Sequence, residues 1–214
     1  MNNRPAILVA IAGTATAIGK TWYASRIAVE VRRRGHTVSV RKPVQSFDAD
    51  EGSAEPTDAE VLSVASGEHV DDVSPPHRAY PLAMAPPMAA DVLGRPRIYV
   101  ADLVDELRWP PNIDVGIVET VGGVRSPLAH DADSAGLIDR IRPNGTVLVA
   151  DAGLGTINAV RLSAQAIATT PVLVALNHYD DSQLHRRNRD WLINDGYTTV
   201  TDVGATCDWL NQLR

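Results

Sequence analysis

A glycine-rich stretch near the start of the chain carries the clearest chemistry in the sequence. It reads Gly13-Thr14-Ala15-Thr16-Ala17-Ile18-Gly19-Lys20-Thr21, follows an apolar run and opens an amphipathic one. Glycines let a strand–turn–helix backbone approach phosphate oxygens, and the free N–H groups at the helix start face the anion. The lysine brings a mobile positive charge to the β- and γ-phosphates, and the threonine hydroxyl suits Mg²⁺. The stretch therefore predicts a site for a nucleoside triphosphate with magnesium.

The loop residues predicted to bind the nucleotide are Gly13, Thr14, Thr16, Ala17, Ile18, Gly19, Lys20 and Thr21. Five positions separate the two glycines, one more than in the common motif. Partition-type ATPases also have variant loops but carry a second lysine where this chain has Ala15, which argues against that class. A loop lysine is expected to be exposed without its ligand, so Lys20→Ala should abolish phosphate binding and leave the fold intact.

Three more residues could join this site. Lys42, the other lysine of the chain, follows a predicted strand and is predicted, with Lys20, to be catalytic. Asp58 opens a predicted helix, and Glu119 closes a predicted strand before Gly122-Gly123. Hard oxygen ligands suit Mg²⁺, so Thr21, Asp58 and Glu119 are the predicted metal ligands. The alternatives are an ordinary solvated lysine, a first-turn acid that favours the helix dipole, and a solvent-facing loop acid.

Short apolar runs alternate with amphipathic stretches along the whole chain. The predicted strands cover residues 6–12, 37–40, 115–118, 147–150 and 172–176. The predicted helices cover residues 21–34, 57–66, 99–108, 157–169 and 182–194, with a capping box at Thr57 and Glu60. A proline-rich excursion over residues 73–97 is expected to cross the strand tips with a short helix from about 87 to 93. This order predicts one α/β domain, residues 1–214, with a doubly wound, mostly parallel sheet in three layers.

Composition excludes several other classes of protein. The net charge is −6, which disfavours a nucleic-acid surface. The single cysteine, Cys207, allows no internal disulfide and fits a reducing cytoplasm. The apolar run after Pro5 is too short for a signal peptide or a membrane span. We therefore expect a cytoplasmic protein with no membrane partner.

The ordered set of motifs resembles dethiobiotin synthetase over residues 6–177. It consists of the glycine-rich loop, Lys42-Pro43-Val44-Gln45-Ser46, Thr57-Asp58-Ala59, Glu119 with Gly122-Gly123, and Leu154-Gly155-Thr156-Ile157-Asn158. The resemblance implies a P-loop NTPase fold and a homodimer that uses ATP, Mg²⁺ and CO₂ to convert 7,8-diaminopelargonate to dethiobiotin. It further implies that Ser46, Gly122, Gly155, Thr156 and Asn158 bind substrate, the last three across the dimer interface. Asn177 matches a base-contacting asparagine, the alternative being a cap of the next helix.

The sequence also departs from the family pattern. Ala15 and Ala17 stand where many members carry acids, Met84-Ala85 and Met88 replace a Glu-Pro and a His, and Thr120-Val121 replaces a glycine. No Pro-x-x-Gly base-binding loop follows Tyr179. The nucleotide preference and the amine therefore stay open. Two other functions remain: a related P-loop ligase that activates a different carbamate or carboxylate, and a non-enzymatic nucleotide switch.

Overall fold

A twisted parallel sheet organises the computed structural model, which describes residues 3–49 and 56–213. Its strands are β1 (Ile7–Gly13), β2 (Val38–Arg41), β5 (Val115–Glu119), β6 (Gly145–Asp151), β7 (Val172–Asn177) and β8 (Thr198–Val200). Two short strands, β3 (Gln45–Ser46) and β4 (Ala79–Tyr80), pair separately and in parallel. The order in the main sheet is β2-β5-β1-β6-β7-β8. All neighbours are parallel, so the carboxyl ends of β1, β2, β5 and β7 lie along one edge.

Helices cover both faces of this sheet. They are α1 (Lys20–Arg33), α2 (Asp58–Ser66), α3 (Val70–Val73), α4 (Pro86–Val92), α5 (Val100–Glu106), α6 (Ser134–Ile141), α7 (Thr156–Ala166), α8 (Gln183–Asn194) and α9 (Val203–Asn211). Alternate side chains of β1 enter different cores, because successive residues of a strand point to opposite faces. Leu8 and Ala10 pack with α4 to α8, whereas Val9 and Ile11 pack with α1, α2 and α9. The predicted doubly wound, three-layer architecture is confirmed.

Local sequence signals account for most of the element boundaries. Thr57 and Glu60 form the predicted capping box, and Gly67 ends α2 in the left-handed region. The helix predicted over residues 99–108 ends at Glu106, since Leu107 is already extended ahead of Pro110-Pro111. The helix predicted over residues 157–169 begins at Thr156 and ends at Ala166. Six elements were not predicted from the sequence, namely the short β3, β4 and α3 and the later α6, β8 and α9.

The proline-rich excursion crosses the strand tips as expected. Pro76–Arg78 forms a single 3₁₀ turn, β4 pairs with β3, and α4 begins at Pro86. A proline at the start of a helix costs no hydrogen bond, because the backbone N–H that it lacks would have no partner within the helix. The β3–β4 pair ties the segment to the chain that follows Lys42. Every helix in the described ranges is too short or too polar to traverse a bilayer.

Candidate active site

The glycine-rich loop joins the end of β1 to the first turn of α1. Gly19 caps α1 with φ of 84°, and no side chain caps the helix start. Ala17 also has a positive φ, 58°. The first N–H groups of α1 are therefore free to meet an anion, and the helix dipole favours negative charge there. The loop thus has the backbone form that phosphate binding requires.

Asn177 holds this loop from the end of β7. Its Nδ2 donates to the Ile18 carbonyl at 2.9 Å, and a Cβ built on Gly19 would lie 2.2 Å from that nitrogen. Asn177 is not the cap of α8, because Ser182 occupies that position and accepts from the His185 N–H. The capping alternative is therefore wrong, and Asn177 belongs to the wall of the nucleotide loop.

Gly19→Ala is expected to weaken ATP binding and to lower the free energy of unfolding by about 1–3 kcal/mol, because alanine tolerates this positive φ poorly and its Cβ clashes with Asn177. Calorimetric titration with ATP and urea unfolding would measure the two effects. Gly35→Ala is the matched control: Gly35 also has φ of 84°, but a Cβ added there would meet nothing within 4 Å. Equal ATP affinity in Gly19→Ala and Gly35→Ala would contradict the idea that close packing of Gly19 against Asn177 shapes the nucleotide loop.

Lys20 differs from the expectation of an exposed loop lysine. It is buried, with 7% of its surface accessible, and its Nζ donates to the Ala15 carbonyl at 3.2 Å. The loop wraps around the aliphatic stem, which approaches Gly13 closely. Burial, and then repulsion from Lys42, lower the pKa of Lys20 to about 8. A phosphate anion in the loop would oppose both effects and stabilise the ammonium.

Lys42, Asp58, Glu119 and Thr21 meet at the edge of the sheet. Lys42 Nζ lies 2.7 Å from both Asp58 Oδ2 and Glu119 Oε1, and it also donates to the Thr120 carbonyl. The Thr21 hydroxyl lies 2.7 Å from Asp58 Oδ1 and from Glu119 Oε1. Lys42 and Glu119 are almost completely buried, so neither the solvated lysine nor the solvent-facing acid considered as alternatives is correct.

Burial disfavours the charged form of each residue in this cluster, and the neighbouring charges and hydrogen bonds decide the direction in which each pKa shifts. For Lys42 the carboxylates of Glu119 and Asp58 outweigh burial and raise its pKa, so the ammonium is retained. For Glu119 burial dominates over the attraction of Lys42 and raises the pKa. For Asp58 burial is again the largest single effect, but Lys42 and the Thr21 hydroxyl together outweigh it and lower the pKa. The site therefore holds a protonated lysine among carboxylates that are short of donors.

The oxygen atoms of this cluster suit a hard cation. A hydroxyl donates one proton, so Thr21 can serve only one of its two carboxylates at a time. Glu119 Oε2 is buried and has no hydrogen-bond partner among the described residues. No group of three or more His, Cys, Asp and Glu side chains forms a metal cage within residues 3–49 and 56–213. Two carboxylates and a hydroxyl are nevertheless a suitable set for Mg²⁺, which keeps waters and phosphate oxygens as its other ligands.

A cavity of about 680 Å³ opens directly onto this cluster, and we call it the main cavity. Ser46 and Gly122, predicted to bind substrate, and the loop residues Thr16, Ala17 and Gly19, predicted to bind the nucleotide, line it. Residues 83–86, the segment in which Met84-Ala85 replaces the family's Glu-Pro, also line it, whereas Val121, Ser126 and Pro127 had no role predicted from the sequence. The Ser126 hydroxyl accepts a hydrogen bond from the Gly123 N–H. The sequence signal that could have indicated Ser126 as a site residue is its position three residues after the double glycine. The cavity thus combines a polar floor with a largely apolar wall.

Gly155, Thr156 and Asn158 do not line the main cavity. They form the start of α7, where Asn158 is exposed and the buried Thr156 hydroxyl has no partner in the described part of the chain. The resemblance assigns them to the site of a second copy, which a single chain does not test. Their role in substrate binding stays a prediction.

Comparisons with known proteins identify chains of similar sequence. A family model described as an AAA domain matches residues 8–193. The ATP-dependent dethiobiotin synthetase BioD of Haloferax mediterranei is 30% identical over 87% of this chain and 78% of its own length. That of Corynebacterium efficiens is 36% identical over 77% of this chain and 71% of its own. That of Aquifex aeolicus is 29% identical over 86% and 82%.

Solved structures resemble the chain in fold. A plasmid partition protein from Borrelia burgdorferi superposes with a TM-score of 0.51 over 98% of this chain and 95% of that one, at 9% identity. A DUF1611 family protein from Anabaena variabilis gives a TM-score of 0.52 at 18% identity, over 98% of this chain and 57% of that one. Identities this low show the fold alone, and that fold agrees with the predicted doubly wound α/β architecture.

Proposed function

The chain belongs to the ATP-dependent dethiobiotin synthetase family, and from that membership we propose that it carboxylates 7,8-diaminopelargonate and closes the ureido ring of dethiobiotin. A substrate amine adds to CO₂ and forms a carbamate. A carbamate oxygen attacks the γ-phosphorus of ATP, ADP leaves, and a carbamic–phosphoric anhydride results. The second amine then attacks the carbonyl carbon, and phosphate leaves as the ring closes.

The meeting of Lys42, Thr21, Asp58 and Glu119 beside the glycine-rich loop is the observation that carries the phosphoryl-transfer step of this proposal. These residues come from four separate parts of the chain, yet contacts of 2.7 Å link their polar atoms into one cluster. Charge spreads over the phosphoryl oxygens during transfer, and cations fixed in advance stabilise it at little reorganisation cost. Lys20 and Lys42 would provide two such cations.

We propose that Thr21, Asp58 and Glu119 hold Mg²⁺, since Glu119 Oε2 is buried without a donor among the described residues. The ion would neutralise phosphate charge and orient the γ-phosphoryl group. Ser46 and Gly122 line the main cavity next to Lys42, and there Ser46 can hydrogen-bond the carbamate. The apolar wall that includes Val121 and Met84 suits the carbon chain of the substrate.

We also propose that the enzyme is a cytoplasmic homodimer in which each chain forms a single domain. Leu154, just before α7, is 93% exposed, and Leu162, on α7, is 62% exposed. Exposed apolar side chains beside predicted substrate-binding residues suit a surface that a second copy covers. Gly155, Thr156 and Asn158 would then receive the substrate carboxylate at the start of α7, where free N–H groups favour an anion.

Glu119→Gln is expected to raise the Mg²⁺ concentration for half-maximal turnover at least roughly tenfold, while substrate affinity changes much less, because the amide retains the volume but not the charge. A magnesium titration of turnover would measure this. Glu68→Gln is the matched control, since Glu68 is a largely buried carboxylate that pairs with Arg41 outside the site. An unchanged magnesium requirement in Glu119→Gln would remove Glu119 from the metal site.

The proposed reaction is tested by ADP release from ATP and Mg²⁺, with and without bicarbonate and 7,8-diaminopelargonate. Release that requires both bicarbonate and the diamine supports the ring-forming ligase. Nucleotide binding without diamine-dependent release would point to a related ligase acting on a different amine, and a screen of other amines would follow. Release that depends only on a protein partner would favour a nucleotide switch.

A further inference from the structure

A second cavity of about 580 Å³ shares Gly19 with the main cavity, and we call it the side cavity. Trp22 and Tyr23 of α1, the end of β7 from Leu176 to Tyr179, and residues 201–203 ahead of α9 line it. Its volume falls within the roughly 300–1,000 Å³ of small-molecule sites in general. None of the phosphate-cluster residues Lys42, Asp58 and Glu119 contributes to it. The side cavity therefore begins at the end of the glycine-rich loop and, unlike the main cavity, is not lined by the charged residues of the Lys42 cluster.

Trp22 is the unusual member of this wall. It directly follows Thr21 in the first turn of α1, and 49% of its surface is accessible. The Arg26 guanidinium lies 5.5 Å from the indole centroid and does not itself line the cavity. The cation–π contact with Arg26 orients the Trp22 indole, and the guanidinium does not fill the side cavity. A large, flat apolar surface thus stands exposed beside an anion-binding loop.

The opposite wall is fixed to the same helix. The Tyr23 hydroxyl donates to the Asp202 carbonyl at 3.1 Å and lies 2.7 Å from the Thr206 hydroxyl. Asp202 in turn caps α9 by accepting from the Ala205 N–H at 2.8 Å. Residues 201–203 therefore occupy a set position relative to Trp22. They close the cavity in a chain that has no Pro-x-x-Gly loop after Tyr179.

The side cavity also has a polar acceptor. Asn177 uses Nδ2 on the Ile18 carbonyl, and Oδ1 makes no hydrogen bond within residues 3–49 and 56–213. His178 Nδ1 pairs with Asp151 at 2.9 Å, and its Nε2 lies 3.4 Å from Asn177 Nδ2, so the imidazole forms part of the cavity wall beside Asn177. A planar ligand with an amino group could therefore stack on an indole and donate to an amide oxygen. That combination describes a nucleobase with an exocyclic amine.

We propose that Trp22 is the stacking surface for the nucleobase and sets how tightly this chain holds the base of its nucleoside triphosphate. The inference rests on the nucleotide site of the proposed function but not on the diamine or the ring closure. With the phosphates along residues 13–21, the nucleoside would extend past Gly19 into the side cavity. Stacking is sequence-tolerant, so Trp22 would provide affinity and Asn177 would provide selection.

The test measures nucleotide binding by calorimetry, without diamine, for the wild type, Trp22→Ala and Trp22→Phe. Trp22→Ala is expected to weaken ATP binding roughly tenfold or more, the usual effect of removing a base-stacking aromatic, and Trp22→Phe to retain most of the affinity. Inorganic tripolyphosphate, which has the phosphates but no base, should bind all three proteins equally. Trp191→Ala is the control, because Trp191 is 55% exposed on α8 and lies outside the cavity wall.

A second readout does not depend on the alanine variant being folded. ATP should change the tryptophan fluorescence of the wild type, and tripolyphosphate should not; in Trp22→Phe the ATP signal should disappear. ATP affinity within twofold of wild type in Trp22→Ala, or equal losses for ATP and tripolyphosphate, would overturn the proposal. Because no diamine is present, a chain that fails to make dethiobiotin can still pass or fail this test.

Discussion

Lys20→Ala is expected to reduce ATP affinity by at least about a hundredfold, since a lysine that makes two charge-assisted hydrogen bonds to phosphates contributes roughly 3 kcal/mol or more. The protein should remain folded, with a free energy of unfolding within about 1 kcal/mol of wild type. The reason is not exposure, because Lys20 is buried. It is that Lys20 forms no ion pair within the described ranges, donates only to the Ala15 carbonyl, and is repelled by Lys42.

Calorimetric titration with ATP and urea unfolding measure the two effects separately. Arg33→Ala on the same helix is a control for removing a cation from α1, because Arg33 lies in the last turn and does not line the main cavity. If Lys20→Ala bound ATP as the wild type does, the phosphate site would not be this loop. If it unfolded, the lysine stem would be a structural element that the loop requires.

Lys42→Met is expected to lower the free energy of unfolding by about 3 kcal/mol as well as to abolish turnover, because it leaves the buried Glu119 carboxylate without its cation. Methionine keeps most of the volume, so packing loss contributes little. Asp58 has 42% of its side chain exposed and can be solvated in place of the lysine, whereas Glu119 has none. We therefore expect the two lysines of the chain to differ, with the loss of Lys42 destabilising the fold and the loss of Lys20 leaving it stable.

Adding Glu119→Met to Lys42→Met should restore most of the lost stability, because replacing both members of a buried ion pair by apolar residues of similar volume is often neutral. Urea unfolding of the wild type, both single variants and the double variant gives the coupling free energy. Arg33→Met, which breaks the exposed Arg33–Glu30 pair, should change stability by less than about 1 kcal/mol. A Lys42→Met protein as stable as the wild type would show that the buried pair does not hold these elements together.

Much of the fold could be predicted because its strands are buried on both faces and read as apolar runs. The runs from Ile7, Val115 and Val172 are of this kind, and all three are strands of the sheet. Two of the missed elements, β8 and α9, have weak local signals. β8 has three residues at the sheet edge, and α9 contains Gly204 and Thr206, which are poor helix formers. Their packing against α1 and β7, rather than propensity, stabilises them.

The residue types of the candidate site were predictable, whereas their environment was not. A glycine-lysine-threonine sequence after a strand is a local signal, and the strand tips placed Lys42 and Glu119 at the same edge. Burial of Lys42 depends on two carboxylates that are distant in sequence, so a single-residue preference for the surface gave the wrong alternative. The role of Asn177 and the cavity beside Trp22 arise from β7, α1 and α9 together. No pattern within one element could have shown them.

The proposed enzyme joins one carbon from bicarbonate to the diamine and consumes one ATP for each ring closed. Mass spectrometry of the products from ¹³C-bicarbonate, ATP, Mg²⁺ and 7,8-diaminopelargonate, with ADP counted in the same samples, follows both the carbon and the nucleotide. We expect dethiobiotin carrying a single ¹³C, in equal amount to the ADP released, and neither product with Lys20→Ala. ATP binding without any labelled dethiobiotin would contradict the proposed reaction.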